Sequence, residues 1–500
     1  NQRLDHLGII AGTIKDLGLI EFIDSRIPTN DAENISAGEA IAGMILNGLG
    51  FSDRPLSLTP QFFENKPLEA LFRPGVKAEH FNRFKLGRSL DDAHAYGCEL
   101  IFSEIATHVC QKEGIDTRFQ SLDTTSFSLS GNQYSDSDEH EIKITYGYSK
   151  DHRPDLKQVA LELIVAHDGG VPLIAKSLSG NASDNKVFAQ RSKAIVDGLK
   201  NADPIECLVA DSKLYCESNS KNLMQLPFIT RIPGIIKEES KLIERAFESG
   251  NWQKFDDGNQ YQVFSMMHYG IDQRWIVVNS TAAQNRGEKT IEKVEKKESE
   301  SLENSLKKLE NKEFCCKKDA QSEVEKLQRK LKFHNLVSIN YIEIMGHKKR
   351  GRPTPESKTE VKGWRIQMRF ERDEVAIRRE LNWKSCYVLG TNVALEKLSD
   401  KEVILGYKSQ SSVEMGFRFL KDPVFFTSSL FVKKTSRISG LLMVMTLALL
   451  VYSIAQRRLR SSLKKGKTTL PNQIKQETEW PTLRWIFQLM EGVQLKVRVL

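Results

Sequence analysis

The chain has 500 residues, 40% of them hydrophobic, which is enough for two to four domains with substantial cores. Its 73 lysines and arginines outnumber its 65 aspartates and glutamates, so the formal net charge of +8 suits local neutralisation of phosphates without demanding nucleic acid. The chain has seven cysteines, an odd number, and they lack CxxC or Cys/His spacing. This argues against a zinc site or a disulfide framework.

The first part of the chain, residues 1–115, carries helical signals. Ser36 is predicted to cap a helix that begins at Ala37, and Ser89 is predicted to cap a periodic run over residues 90–110. No apolar segment of signal-peptide length opens the chain, so a signal peptide is not expected. The pattern predicts a small helical domain that either binds DNA or serves packing, since no helix-turn-helix pattern is visible.

From residue 116 to 235 the pattern changes to strands. Asp123 stands inside an apolar and β-branched run, and Asp211 ends a short apolar run. An aspartate among strand formers is costly to bury without a partner such as a cation. Further elements are predicted in this part, namely strands at 157–166, 171–178 and 228–232, with a turn at 167–170 and a helix near 187–199. This order fits an α/β fold in which the acids meet at the centre of a sheet.

An inserted domain is predicted over residues 236–385, because far more chain separates Asp211 from Glu414 than a connection needs. It begins with strand patterns at 261–266 and 274–278. A charged stretch over 286–336 follows, in which leucine, alanine and valine recur with 3-and-4 spacing. That spacing predicts a long helix pair with a solvated lysine and glutamate face.

The basic string His347-Lys-Lys-Arg350-Gly-Arg352-Pro353-Thr-Pro355 follows the helical stretch. Arg350 and Arg352 could lie in a narrow A·T minor groove, whose negative potential attracts guanidinium groups. The alternatives are a basic linker between the insertion and the rest of the chain, and nonspecific contact with phosphates.

The last part, residues 386–500, contains Tyr407, Glu414 and Lys421 at seven-residue spacing. On one α-helix they would share a face, since seven residues drift by only ~20°. A carboxylate between a hydroxyl and an ammonium suits a metal-dependent phosphodiester site. The alternative is an ordinary amphipathic helix with solvated charges.

The apolar run over residues 438–455 is predicted to be a buried core helix, with a membrane span as the alternative. The basic residues 456–460 that follow it would then form a helix end near DNA.

Together these motifs resemble the DDE transposases of bacterial insertion sequences, in the branch whose third acid lies in a Tyr-x2-Arg-x3-Glu-x6-Lys signature. The family's acids fall on Asp123, Asp211 and Glu414, and its tyrosine and lysine fall on Tyr407 and Lys421. The arginine position is occupied by Gln410, and Arg418, one turn after Glu414, is the nearest substitute. Other blocks similar to this branch are Leu4–Gly8, Tyr146–Gln158, Ser179–Asp184, Phe228–Pro233, Gly390–Asn392 and Arg437–Gly440.

The resemblance implies an RNase H-like catalytic core, a mixed sheet flanked by helices, formed by residues 116–235 and 386–500. The N-terminal helical domain (1–115) and a large β-plus-helical insertion (236–385) would be added to it. Asp123, Asp211 and Glu414 would be catalytic and would hold two Mg²⁺ ions, for which Mn²⁺ could substitute. Tyr407, Lys421 and Arg418 would contact DNA, as would Arg350 and Arg352.

The partners implied are double-stranded DNA, as transposon terminal inverted repeats and target, and a second copy of the chain on paired ends. No membrane partner is expected, and the location would be the bacterial cytoplasm, at the nucleoid when DNA is bound. In related transposases the insertion can supply an aromatic that stacks on an extruded base; Trp275 or Trp252 could do so here, although a core tryptophan is the simpler interpretation. The alternatives are a catalytically inactive, domesticated DNA-binding protein and an RNase H-like nuclease without strand transfer.

Overall fold

The computed structural model describes residues 2–28, 32–51, 55–129, 142–147, 153, 155–182, 207–210, 212, 215–220, 224, 226–347, 359–422 and 434–496. At residues 123, 210, 218, 347, 359 and 411–414 it describes the backbone alone. The structure is mixed α/β and divides into two compact units. The first unit is Asn1–Thr230, Met267–Gln273 and Thr391–Leu500, and the second is Arg231–Met266 and Arg274–Gly390. Apart from residues 267–273, the predicted insertion therefore falls within the second unit.

The first unit begins with a short strand, β1 (Gln2–Arg3), and a series of helices. These are α1 (Leu7–Leu17), α2 (Leu19–Asp24), α3 (Ala37–Leu49), α4 (Thr59–Phe63), α5 (Leu68–Leu71), α6 (Arg83–Tyr96) and α7 (Cys98–Glu113). The prediction for Ser36 is confirmed, since its hydroxyl accepts from the Glu39 N–H at 3.0 Å and Glu39 accepts from the Ser36 N–H at 2.9 Å. This reciprocal cap fixes where α3 begins.

The prediction that Ser89 caps a helix over 90–110 is wrong. Ser89 is buried inside α6, which is capped by Asn82, whose Oδ1 accepts from the N–H groups of Phe84 and Lys85. The helix ends at Gly97, which has a φ of +112° and separates α6 from α7. The conformation of that glycine breaks the apolar period that the sequence presents as continuous.

The central sheet of the first unit contains β2 (Phe119–Leu129), β3 (Lys157–Ala166), β4 (Pro172–Ser179), β5 (Cys207–Ala210) and β6 (Phe228–Arg231). Their spatial order is β4-β3-β2-β5-β6. β2, β3 and β4 are antiparallel neighbours, and β5 and β6 run parallel to β2. The predicted turn between β3 and β4 is confirmed, with Gly169 and Gly170 at positive φ. The helix predicted near 187–199 lies outside the described residues.

After the second unit, the chain returns to the first with α12 (Asp400–Lys408), α13 (Ser411–Leu420) and α14 (Thr435–Gly466). The chain then forms β13 (Leu470–Pro471), β14 (Glu477–Thr478), α15 (Leu483–Leu489) and β15 (Gln494–Leu495), which pairs with β1. In the part of the chain that is described, α14 is the helix long and apolar enough to cross a membrane by length and composition, and 89% of its most apolar window is buried. It packs against α1, α3, α6 and α7, so the N-terminal helices and α14 share one hydrophobic core.

The second unit contains α8 (Lys237–Ser249), β7 (Gln253–Asp256), β8 (Asn259–His268), β9 (Ile271–Ser280), α9 (Thr281–Glu310), α10 (Lys317–Gln328), β10 (His334–His347), β11 (Thr359–Arg372), α11 (Glu374–Ser385) and β12 (Cys386–Thr391). Strands β12, β9, β8 and β7 lie in that order, and the ends of β8, β9 and β12 belong to the first unit. The helices α9 and α10 pack on the antiparallel ribbon β10–β11 through Leu302, Leu306, Val324, Ile366 and Met368.

The predicted helical stretch over 286–336 is too long at its C-terminal end. The helices end at Gln328, and Leu336 is a buried residue of strand β10. The strand contains a bulge at Ser338, where φ is +52° and the register shifts between Val337 and Asn340. Because the bulge interrupts the period-2 alternation of the strand, the sequence pattern of this segment did not predict β10.

Candidate functional site

Two of the three predicted acids, Asp123 and Glu414, lie in different elements of the first unit. Asp123 is in β2, the middle of the five strands that form the central sheet of the first unit. Its backbone lies opposite Leu163 of β3. Glu414 is in the first half of α13. Their side chains lie outside what is described, and Asp211, which follows β5 directly, lies outside it altogether.

Strands β2 and β5 are parallel neighbours in the sheet. Their register aligns the residues that precede Asp123 with the residues that precede Asp211. The last described pair of that register is Ser121 with Val209. Asp123 and Asp211 each stand two residues beyond this pair in the sequence. Neighbouring strands are ~4.8 Å apart, so the backbones of Ser121 and Val209 lie side by side at this point of the sheet.

The helix α13 packs against β2, β3 and α14. Phe417, Phe419 and Leu420 are buried, and the ring of Phe419 lies 4.6 Å from that of Tyr452 in α14. At the end of the helix, the Lys421 ammonium lies 5.9 Å from the centre of the Phe127 ring in β2. The backbone of the Glu414 helix is therefore held on the strand that carries Asp123.

The prediction that Tyr407, Glu414 and Lys421 form a stripe on one continuous helix is wrong. Tyr407 belongs to α12, Glu414 to α13, and Lys421 is the residue that ends α13. Between the helices the Gln410 N–H bonds to the Tyr407 carbonyl three residues back, and the Ser409 hydroxyl bonds to the Leu405 carbonyl. The bond of the Gln410 N–H spans three residues instead of four, so the regular i→i−4 ladder stops after Ser409 and α12 ends.

The residues proposed to contact DNA differ in exposure. Tyr407 and Lys421 are half-buried, whereas Arg418 is exposed and forms no ion pair with a described residue. Arg350 and Arg352 lie outside the described residues. They belong to the connection between β10 and β11, whose register ends at His347 with Thr359. The interpretation of this string as a linker between domains is therefore wrong, because it joins two paired strands.

The two tryptophans considered for stacking on a base are both engaged in packing. Trp275 is fully buried in β9. The ring of Trp252 lies edge-on to that of Phe247, with centroids 5.3 Å apart. A fully buried indole cannot meet a base, so Trp275 is excluded from that role.

Two of the basic residues after the apolar run form ion pairs within the first unit. Arg457 donates to Asp168 at 2.7 and 2.8 Å, and Arg458 donates to Glu113 at 2.7 and 3.2 Å. The Arg458 guanidinium holds the pKa of the Glu113 carboxyl below its usual value. These two arginines hold α14 to α7 and to the β3–β4 turn, and the expectation that residues 456–460 lie near DNA stays a prediction.

Some of the family-like blocks have structural roles that the sequence did not reveal. Arg437 donates to Asp91 of α6 at 2.7 and 2.9 Å and lowers the pKa of that carboxyl. The Asn392 side chain donates to the Leu226 carbonyl at 2.7 Å and accepts from the Phe228 N–H at 3.0 Å. Asn392 thereby holds the start of β6, next to β5.

Sequence reasoning missed the hydrogen bonds of two side chains, the half-buried His167 and the buried Tyr215. The His167 ring bonds to the Ser121 hydroxyl at 2.6 Å through Nε2, and burial lowers the pKa of His167 to about 4. Tyr215, four residues after Asp211, bonds to His268 at 2.9 Å and to Gln273 at 3.0 Å. His268 and Gln273 flank the β8–β9 turn, far along the chain from Tyr215. No local sequence pattern predicts hydrogen bonds between residues so widely separated.

Among the residues that the structure describes, no group of three or more histidines, cysteines or acids could hold a metal ion. Carboxylate oxygens are the ligands that Mg²⁺ prefers, so the chemical type of the three predicted acids suits that ion.

Comparison with known proteins found similarities to a family model and to solved structures. Residues 1–107 match the model of a domain of unknown function, DUF4277. No curated protein matches the sequence. A cryo-EM structure of a piggyBac transposase synaptic complex with hairpin DNA aligns with 98% of this chain and 81% of its own, at 8% sequence identity and a TM-score of 0.36. These similarities leave the function to be inferred from the chain's own residues.

Proposed function

We propose that the chain is a DDE transposase of an insertion sequence, which cuts transposon ends and joins them to target DNA in a metal-dependent reaction. The observation that carries the proposal is the register of β2 and β5, whose last described pair stands two residues before both Asp123 and Asp211. The Glu414 helix packs on the same strand β2. Three carboxylates that are remote in sequence would thus converge on one cleft.

The sheet order supports an RNase H-like core for this proposal. Three consecutive antiparallel strands are followed by two that run parallel to the first, with β2 at the middle. Phe119 contacts α12 at Gly406, and Phe127 contacts Lys421 at the end of α13. Because side chains alternate along a strand, Asp123 is expected on the same face as these two rings, toward the Glu414 helix.

In this proposal Asp123, Asp211 and Glu414 hold two Mg²⁺ ions, or Mn²⁺ in their place. Bound metal supplies an activated attacking oxygen and stabilises the leaving oxygen of an in-line displacement. Lys421 and Tyr407 position DNA phosphates, with Arg418 as a further cation. Water first cuts the transposon end, and the freed 3′-hydroxyl then attacks target DNA or the opposite strand. Two copies of the chain would act on paired ends, in the bacterial cytoplasm.

The test is cleavage of DNA that carries the element's own ends, in Mg²⁺, by the wild type and by Asp123→Asn, Asp211→Asn and Glu414→Gln. Each variant removes one metal-binding charge with little change in volume, so each should lose cleavage by at least about 10²-fold. DNA binding, measured by anisotropy, should stay within a few-fold of the wild type. Near-normal cleavage by any of the three would remove that acid from the site.

Two other functions give different results in the same assay. An inactive DNA-binding protein would bind ends with no cleavage in any form of the chain. A nuclease without strand transfer would cut DNA but yield no joined product when target DNA is added.

A further inference from the structure

The C-terminal end of α14 carries lysines that, unlike three arginines earlier in this helix, are not paired with acids of the described residues. Its arginines at 437, 457 and 458 each pair with an acid. The three lysines at its end are exposed and form no ion pair with any residue that the structure describes: Lys464, Lys465 and Lys467. Positive charge here is therefore directed to solvent.

The backbone holds these lysines in a defined arrangement. Lys467 ends α14 with a φ of +49°, its N–H bonding to the Lys464 carbonyl, and the Thr468 N–H bonds to Leu463 at 3.0 Å. This left-handed position usually carries glycine, because a Cβ is strained there. A strained lysine at a helix end is a local conflict of the kind that marks functional surfaces.

Neighbouring aromatics fix the surface beside the lysines. The Arg460 guanidinium lies 5.6 Å from the centre of the Trp480 ring, and its Nε donates to the Pro481 carbonyl at 3.1 Å. Trp480 itself is 65% exposed. Trp485 donates its indole N–H to the Pro471 carbonyl at 2.9 Å and so anchors the β13–β14 hairpin. Because Lys464 follows Arg460 by one turn, it lies on the side of α14 that faces Trp480.

We propose that Lys464, Lys465, Lys467 and the Arg460–Trp480 pair, hereafter the C-terminal basic surface, bind the phosphate backbone of duplex DNA outside the cleavage site. The inference rests on the proposed function for the identity of the ligand. Lysines bind phosphates as point charges, and the exposed hydroxyl of Thr468, next to Lys467, suits a phosphate contact. Glu477 and Glu479 on the hairpin reduce the charge without cancelling it.

An anionic membrane is a less suitable partner for the C-terminal basic surface. Membrane binding by a surface helix needs a broad exposed apolar face beside the cations. The described residues around the lysines are mainly polar, with Trp480 and Ile474 as exposed large apolar side chains.

The test is equilibrium binding of the full chain to a labelled random-sequence duplex, followed across a NaCl series from about 50 to 200 mM. The variant Lys464→Gln/Lys465→Gln/Lys467→Gln removes the three charges. It should weaken binding at least about tenfold and lower the slope of log K against log salt by about 3, since each phosphate contact contributes about 0.9. The control is Lys293→Gln/Lys296→Gln/Lys297→Gln, which removes the same charge from the exposed, glutamate-rich face of α9 and should change the slope far less.

Equal slopes for the two triple variants would overturn the proposal. So would loss of binding to phosphatidylglycerol vesicles with unchanged DNA binding, which would assign the surface to membranes. Because the measurement is binding and needs no cleavage, its failure is distinguishable from failure of the proposed catalytic function.

Discussion

The half-buried His167 shows how a single residue can set the pH dependence of stability. His167 lies in the β3–β4 turn, and its Nε2 bonds to Ser121, two residues before Asp123. Its Nδ1 is buried without a hydrogen-bond partner among the described residues. A protonated ring would bury a second N–H with no acceptor, so the neutral form is favoured.

This gives a prediction for the pH dependence of stability. His167 titrates near 6.5 when unfolded and at about 4 in the fold, so between these values only the unfolded chain binds the proton. Stability should therefore fall as pH falls through this window, with His167 contributing on the order of 1 kcal/mol per pH unit. His167→Gln should show a shallower decline in urea denaturation between these pH values. An unchanged decline would show that His167 is not buried in its neutral form.

At the scale of elements, the position of the Glu414 helix depends on the close fit of α12 to the sheet. A Cβ added at Gly406 would lie 2.9 Å from the Phe119 ring and 3.2 Å from Ile229. Gly406 therefore lets α12 lie directly on β2 and β6, and α13 follows it after Gln410.

Gly406→Ala should lower the free energy of unfolding by about 1–3 kcal/mol, because overpacking forces the helix or the ring to move. The matched control is Gly12→Ala in α1, where an added Cβ meets no atom within 4 Å and should be neutral or slightly stabilising. Urea midpoints measure both. Equal midpoints for the two variants would mean that α12 does not rest on the sheet at this point.

The same helices carry the position where the sequence departs from the family signature. Gln410→Arg should tighten DNA binding and steepen its salt dependence by up to about one counterion, since it restores a cation. If the exposed Arg418 already fills that role, Arg418→Ala will weaken binding more than Gln410→Ala. Equal and negligible effects from the two alanine variants would show that these helices do not hold DNA.

At the scale of elements, a feature could be predicted from the sequence when its signal was local. The Ser36 cap and the Gly169–Gly170 turn depend on a few adjacent residues and are confirmed. The break between α12 and α13 depends on the bond of the Gln410 N–H to the Tyr407 carbonyl, and the strand β10 contains a bulge that breaks its alternation. Neither feature can be read from periodicity alone.

For the whole molecule, the candidate site could be predicted only through resemblance to a family. Asp123, Asp211 and Glu414 lie far apart in the sequence, and no spacing rule brings them together. Trp275 shows the converse limit, since its type suits a base-stacking role but its complete burial in β9 excludes that role. Burial depends on which surfaces meet in the fold, and composition does not reveal it.

The central claim is that three distant acids hold metal in one cleft, and iron-directed backbone cleavage tests it directly. Fe²⁺ can replace Mg²⁺ among oxygen ligands, and with ascorbate and peroxide it cuts the protein chain next to the bound metal. The account predicts cuts near residues 123, 211 and 414 together, competed by Mg²⁺ and lost in Asp123→Asn. Cuts confined to other segments, or an unchanged pattern in Asp123→Asn, would contradict it.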